Sequence, residues 1–227
     1  MTGKPNMTEA DHQRITGAVH AAEGGSAGEI VTIVADQSDQ YLDIAMWWSV
    51  LAGVIGLAAL ALFPAFYTGL LASLSGGWVI ETKVADALEL ALAVFIVKFV
   101  AMRLLMEWKA ARLWLTPKRI KAGRVRRRAV RYFKVGAESR TTGRTGILIY
   151  LSMAEHVAEI VADEAIHSKV QGEIWGEAMA KLVGHVRNGR IADGMIAAIE
   201  DVGLVLTQHL PRANTDVNEL PDRLIEL

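Results

Sequence analysis

The chain has 227 residues, 52% of them hydrophobic, with a mean hydropathy of +0.27 and a net charge of −1. It contains no cysteine, which excludes disulfides, a thiol nucleophile and cysteine-based zinc sites. That length accommodates one ordinary domain plus something more apolar than a soluble core needs.

The opening MTGKPNMTEADHQRI carries no apolar core beside a small-residue cleavage site, so it is expected to be hydrophilic and retained. The stretch MTEADHQRITGAVHAAEGG predicts an amphipathic helix. Thr8 and Asp11 form a capping pair, Ile15, Val19 and Ala22 share a face, and Gly24-Gly25 stops it. A strand follows at Ile30 to Val34, whose unbroken, β-branched run implies burial on both faces of a sheet.

From Ile44 to Phe66 there is no charged residue in 23 positions, enough at about 1.5 Å per residue to cross a hydrocarbon core of about 30 Å. Trp47 and Trp48 at one end, and Phe66 and Tyr67 at the other, suit the two interfaces. A second span is expected over 88–107, although it carries Glu89, Lys98 and Arg103. Each of these costs about 2.5 to 3.5 kcal/mol if held at mid-membrane. Glu89 and Arg103 sit near the ends, and Lys98 either snorkels or acts as an intramembrane charge facing a carboxylate of another subunit. Eleven basic residues fall between Lys109 and Lys134, whereas the loop between the spans holds only Lys83. The positive-inside rule therefore makes the basic side, and with it both termini, cytoplasmic in a bacterial inner membrane.

After the basic stretch come an apolar hairpin, Ile147 to Leu151 and Val157 to Ala162, and two amphipathic helices. One carries Val170, Ile174, Ala178, Leu182 and Val186; the other carries Met195, Ile199, Val202 and Leu206. The tail PRANTDVNELPDRLIEL reads as an extended arm. The expected fold is α/β or α+β: a three-layer sandwich with a three- to four-stranded sheet flanked by helices, interrupted by a two-helix transmembrane hairpin. The expected divisions are 1–43 and 140–210 for the split domain, 44–108 for the hairpin, 109–139 for a basic juxtamembrane segment and 211–227 for the arm.

GEIVTIVAD at Gly28 to Asp36, RTTGRTGILIYLS at Arg140 to Ser152, EIVADEAI at Glu159 to Ile166, Trp175, DGMIAAI at Asp193 to Ile199 and NELPD at Asn218 to Asp222 occur in an order that resembles the TPM-domain family. That family is often labelled TPM phosphatase and includes the thylakoid-lumen photosystem-repair proteins; the chain looks most like its bacterial membrane branch. The resemblance covers Glu9 to Asp36 and Arg140 to Asp222, roughly half the chain. It implies a three-layer sandwich, a small acidic surface that binds divalent cations in some relatives, and a part in maintaining or assembling membrane complexes. It departs from the family pattern at Asp163-Glu164-Ala165, where many relatives have a glycine-rich turn.

Glu29, Asp36, Asp163, Glu164 and Asp193 are candidate oxygen ligands for Ca²⁺ or Mg²⁺. The same residues, at strand ends and helix starts, also suit plain capping of backbone amides. Arg140 and Arg144 are candidate anion binders, or part of a polar turn. No aspartyl-nucleophile or metal-dyad motif accompanies them, so the expectation is a non-catalytic interaction or assembly factor for a membrane complex. The alternatives are a weak metal-dependent phosphatase and an integral accessory subunit. Expected partners are the bilayer, anionic lipid headgroups at the run KRIKAGRVRRRAVRYFK and a protein of a membrane complex, rather than nucleic acid.

Overall fold

The computed structural model describes residues 7–74, 84–136, 145–170, 172–212 and 220–227. The chain divides into two compact units: Met1–Gln40 with Lys118–Leu227, and Tyr41–Pro117.

The first unit is a mixed α+β domain. Helix α1 (Glu9–Glu23) opens with the expected capping box, in which Thr8 and Asp11 satisfy each other's backbone amides. Strand β1 (Glu29–Ala35) then runs through the middle of a four-stranded sheet of order β3-β2-β1-β4. Strand β2 (Gly146–Ser152) lies parallel to β1, in register from Glu29 opposite Gly146 to Ala35 opposite Ser152. β3 (Val157–Ala162) returns antiparallel to β2, and the short β4 (Ile225–Glu226) pairs parallel with β1 through Ile33 and Val34. A strand from before residue 41 and a hairpin from after residue 145 thus build one sheet, as their apolar runs implied.

Both faces of β1 and β2 are covered, and the period-2 alternation of side chains decides what goes where. Ile30, Val34, Ile147, Ile149 and Leu151 face a core shared with Ile15 and Val19 of α1, Leu182 and Val186 of α8 (Gly172–Arg187), and Met195, Ile199, Val202 and Leu206 of α9 (Ile191–His209). Val31, Ile33, Leu148 and Tyr150 face Val125, Ala129 and Phe133 of α6 (Lys118–Gly136). The basic stretch expected to be a juxtamembrane segment is therefore largely a helix of the domain itself. Its buried side chains recur every four residues, a spacing that the intervening arginines hide. Between β3 and α8 lies the single turn α7 (Glu164–His167).

The expected extended arm is also partly structural. Leu220 and Leu224 are buried, and the chain ends in β4, where Asp36 N donates to the Leu227 carbonyl and Leu227 N to that of Val34.

The second unit holds α2 (Leu42–Leu62), α3 (Pro64–Leu74), α4 (Val84–Leu105) and α5 (Lys109–Leu115). The first expected span ends four residues early, because Pro64 has no N–H to continue α2 and instead opens α3. α2 and α4 pack closely. A Cβ at Gly53 would lie 2.5 Å from the Phe95 ring, and one at Gly56 would lie 3.0 Å from the stem of Lys98. Among the described residues only α2 is long and apolar enough to cross a membrane; α4, with Asp86, Glu89, Lys98 and Arg103, does not meet that composition.

Candidate functional site

The sheet holds its expected acidic residues at two opposite ends. Glu29 and Asp163 lie together at the amino end of β1 and β2. Glu29 accepts from Leu220 N at 3.2 Å, and the buried Asp163 accepts from Gly146 N at 3.0 Å while standing before the first turn of α7. Asp36 lies beyond the other end of β1, where its carbonyl accepts from Ala154 N. At about 3.3 Å per residue, seven strand residues put roughly 20 Å between the two ends, far outside a shared cation sphere. Glu164 is exposed at the start of α7. Asp193, in the first turn of α9, receives Arg14 Nη2 at 2.7 Å, a bond that holds its carboxyl below the usual range. These five residues do not converge, and among the described residues no group of three or more histidine or carboxylate side chains is arranged to hold a metal. Arg140 and Arg144 lie outside the described residues. Lys98 is exposed on α4, its stem against Gly56.

Two polar groupings went unread in the sequence. At the amino end of β1, the buried Glu23 accepts from Ile30 N at 2.7 Å. Burial, reinforced by the neighbouring charges of Glu29 and Asp222 and a hydrogen bond to Asp222, pushes its carboxyl up to about 8, against the pull of the Ile30 amide. At the carboxyl end, Glu155 accepts from Ser38 N at 3.1 Å and from Ser152 Oγ, and Ser38 Oγ bonds Ser152 Oγ at 2.8 Å and Tyr150 Oη at 3.0 Å. All four side chains are buried, so this network fastens the loop after β1 to β2. The only signal for either group is an acidic residue beside glycine or in a tight turn, which is shared by many exposed residues.

The most distinctive surface is that of α6. Arg124 pairs with Asp39 at 2.8 Å, Arg126 with Glu159 at 3.4 Å, and Arg128 lies 5.0 Å from the centre of the Tyr132 ring, which stacks on Tyr150. Arg119, Arg127, Arg131 and Lys134 are exposed and, among the described residues, form no ion pair or hydrogen bond. Steps of four, four, four and three residues on from Arg119, through Gly123 to Arg127, Arg131 and Lys134, keep these residues on one stripe. It lies opposite the buried stripe of Val125, Ala129 and Phe133.

Fold and surface together define a helix-flanked, four-stranded α+β domain interrupted by a helical unit that carries, among the described residues, one apolar helix of spanning length. No family model matches the chain, and no curated protein matches it. Among solved structures, it is similar to the NMR structure of the BA42 protein from the psychrophilic bacterium Bizionia argentinensis sp. nov. The two share 15% sequence identity and a TM-score of 0.55, over 98% of this chain and 96% of that one, a likeness of fold alone.

Proposed function

We propose that the chain is a membrane-anchored protein of the TPM-domain type, a non-catalytic interaction or assembly factor held at the bacterial inner membrane with its α+β domain on the cytoplasmic side. The observation that carries the anchor is the exposure of α2. Only 22% of its most apolar 18-residue window is buried, whereas a core helix of a soluble protein would hide most of it. Met46, Trp47, Leu51, Val54 and Ile55 all stand open. That much exposed apolar surface needs a partner, and lipid is the one its length fits.

Parity supports a second crossing. β1 precedes the helical unit, β2 follows it, and the two pair over seven residues, so both must lie on the same side of any bilayer. One crossing would separate them. Of the other helices among the described residues of that unit, α3 at 11 residues and α5 at 7 are too short, and α4 at 22 residues spans about 33 Å. Its Asp86 and Glu89 sit towards one end and Arg103 towards the other. Lys98 runs its apolar stem along Gly56, a position from which its ammonium can reach outward.

Alkaline carbonate washing of membranes is expected to leave the chain in the pellet, and tags at both ends are expected to be protease-accessible only from the cytoplasmic side. Release into the supernatant, or tags on opposite sides, would overturn the anchor. Purification in mild detergent is expected to bring down one stoichiometric membrane protein; a lone monomer would remove the assembly role.

A further inference from the structure

We infer that the outer stripe of α6, Arg119, Arg127, Arg131 and Lys134, is a contact for anionic phospholipid headgroups that touches the membrane surface without entering it. This rests on the anchored reading above. Basic amphipathic helices at membranes usually lay an apolar face among the acyl chains. Here that option is closed, because Val125, Ala129 and Phe133 are spent on the sheet, at 0%, 0% and 5% exposure. What faces outward is a line of cations, with Val135 at the end of the helix the one large apolar side chain left exposed on it.

Seven of the nine cations of α6 fall into two sets by geometry. Arg124, Arg126 and Arg128 have partners inside the domain, in Asp39, Glu159 and the Tyr132 ring. The stripe residues have none among the described residues, and the helix is 19 residues long, so the line from Arg119 to Lys134 extends over about 22 Å. A flat, negatively charged surface matches a line of outward-facing cations, whereas a base-reading site would need a helix free to enter a groove. The sequence position favours lipid too, since Lys118 follows directly on the unit that holds the apolar helices. The contact would be electrostatic, sensitive to salt and absent on neutral lipid.

The absence of cysteine allows a direct test. Gly123 lies in the stripe, is exposed, and a Cβ there meets nothing within 4 Å, so Gly123→Cys gives a unique labelling site. The full chain carrying a fluorophore there is placed in nanodiscs of phosphatidylcholine alone or of phosphatidylcholine with phosphatidylglycerol. Co-elution with the discs reads the anchor separately, and failure to co-elute would remove the anchor and this contact together.

In discs that have taken up the chain, the label is expected to be shielded from acrylamide only when phosphatidylglycerol is present. It is also expected to escape quenchers placed on the acyl chains. Raising salt from about 0.1 M to about 1 M shrinks the screening length from about 10 Å to about 3 Å and should abolish the shielding. Arg127→Gln with Arg131→Gln should weaken the contact on the order of tenfold or more. Equal shielding in both kinds of disc, acyl-chain quenching, no shielding in either, or indifference to the double substitution would each overturn the proposal. So would tighter binding of a short RNA duplex than of the anionic discs at matched salt, which would reassign the face to nucleic acid.

Discussion

Glu23→Gln should make the protein more stable in alkaline solution and leave it almost unchanged in acid. Glu23 is the last residue of α1, is buried, and points Oε1 at Ile30 N, with Glu29 and Asp222 close enough for their charges to oppose its ionisation. Its carboxyl is raised from 4.5 to about 8, chiefly by burial. The sign follows from proton counting. Between these two values the folded protein keeps a proton that the unfolded chain has released, so stability falls as pH rises through that window, and above about 8 the full cost is felt. At about 1.4 kcal/mol per pH unit the interval is worth on the order of 5 kcal/mol; water at the carboxyl edge screens part of it, leaving about 2 to 3 kcal/mol. Glutamine keeps the oxygen that accepts from Ile30, and its amide can donate to Asp222 as the protonated carboxyl does. Thermal unfolding in mild detergent, followed by circular dichroism at about pH 5 and about pH 9, should show curves that converge in acid and separate in alkali, the variant melting higher. Parallel curves, or a variant less stable at both values, would refute the buried, proton-retaining carboxyl.

Gly53→Ala would put a methyl 2.5 Å from the Phe95 ring, and should cost about 1 to 3 kcal/mol of stability in detergent unfolding; pairing it with Phe95→Leu should recover part of the loss. Gly194→Ala would meet the Leu182 carbonyl oxygen at 2.9 Å, where α8 and α9 approach through backbone, and a similar cost is expected in the same assay. Glu155→Ala strands Ser38 N–H and the Ser152 hydroxyl in a buried site and should cost about 1 to 3 kcal/mol, with faster hydrogen exchange in residues 36–40 as its local sign. Glu155→Gln, which keeps one acceptor, should lose less.

Much of the domain was legible because its strands and amphipathic helices follow the periods that burial imposes. Ile30 to Val34 and Ile147 to Leu151 read as a doubly covered sheet, and they pair residue by residue. Thr8 and Asp11 read as a capping box, which forms. Residue types alone do not locate carboxylates that meet through the fold. Glu29 and Asp36 look like a pair in GEIVTIVAD, yet the strand between them holds them at opposite ends of the sheet. Glu23 and Asp222, which do couple, are separated by almost the whole chain. β4 was illegible for a related reason: two residues give no period, and their pairing is set by Ile33 and Val34 of the neighbouring strand.

The basic segment was misread for a reason that bears on its role. A helix with three buried positions out of 19 looks polar all round, so its arginines read as a juxtamembrane segment apart from the domain. In the fold, Val125, Ala129 and Phe133 are enough to cover the second face of the sheet, because Tyr132, Val157 and Val161 complete that layer. Fixing the helix in this way gives its outer cations a defined line, which a flexible tether would lack. A rigid row of charge loses less conformational entropy when it meets a charged surface than a mobile tail does. The residues that close the core therefore also set the geometry of the face that remains outside. Substituting Ala129, buried at 0%, with a larger residue should weaken both together.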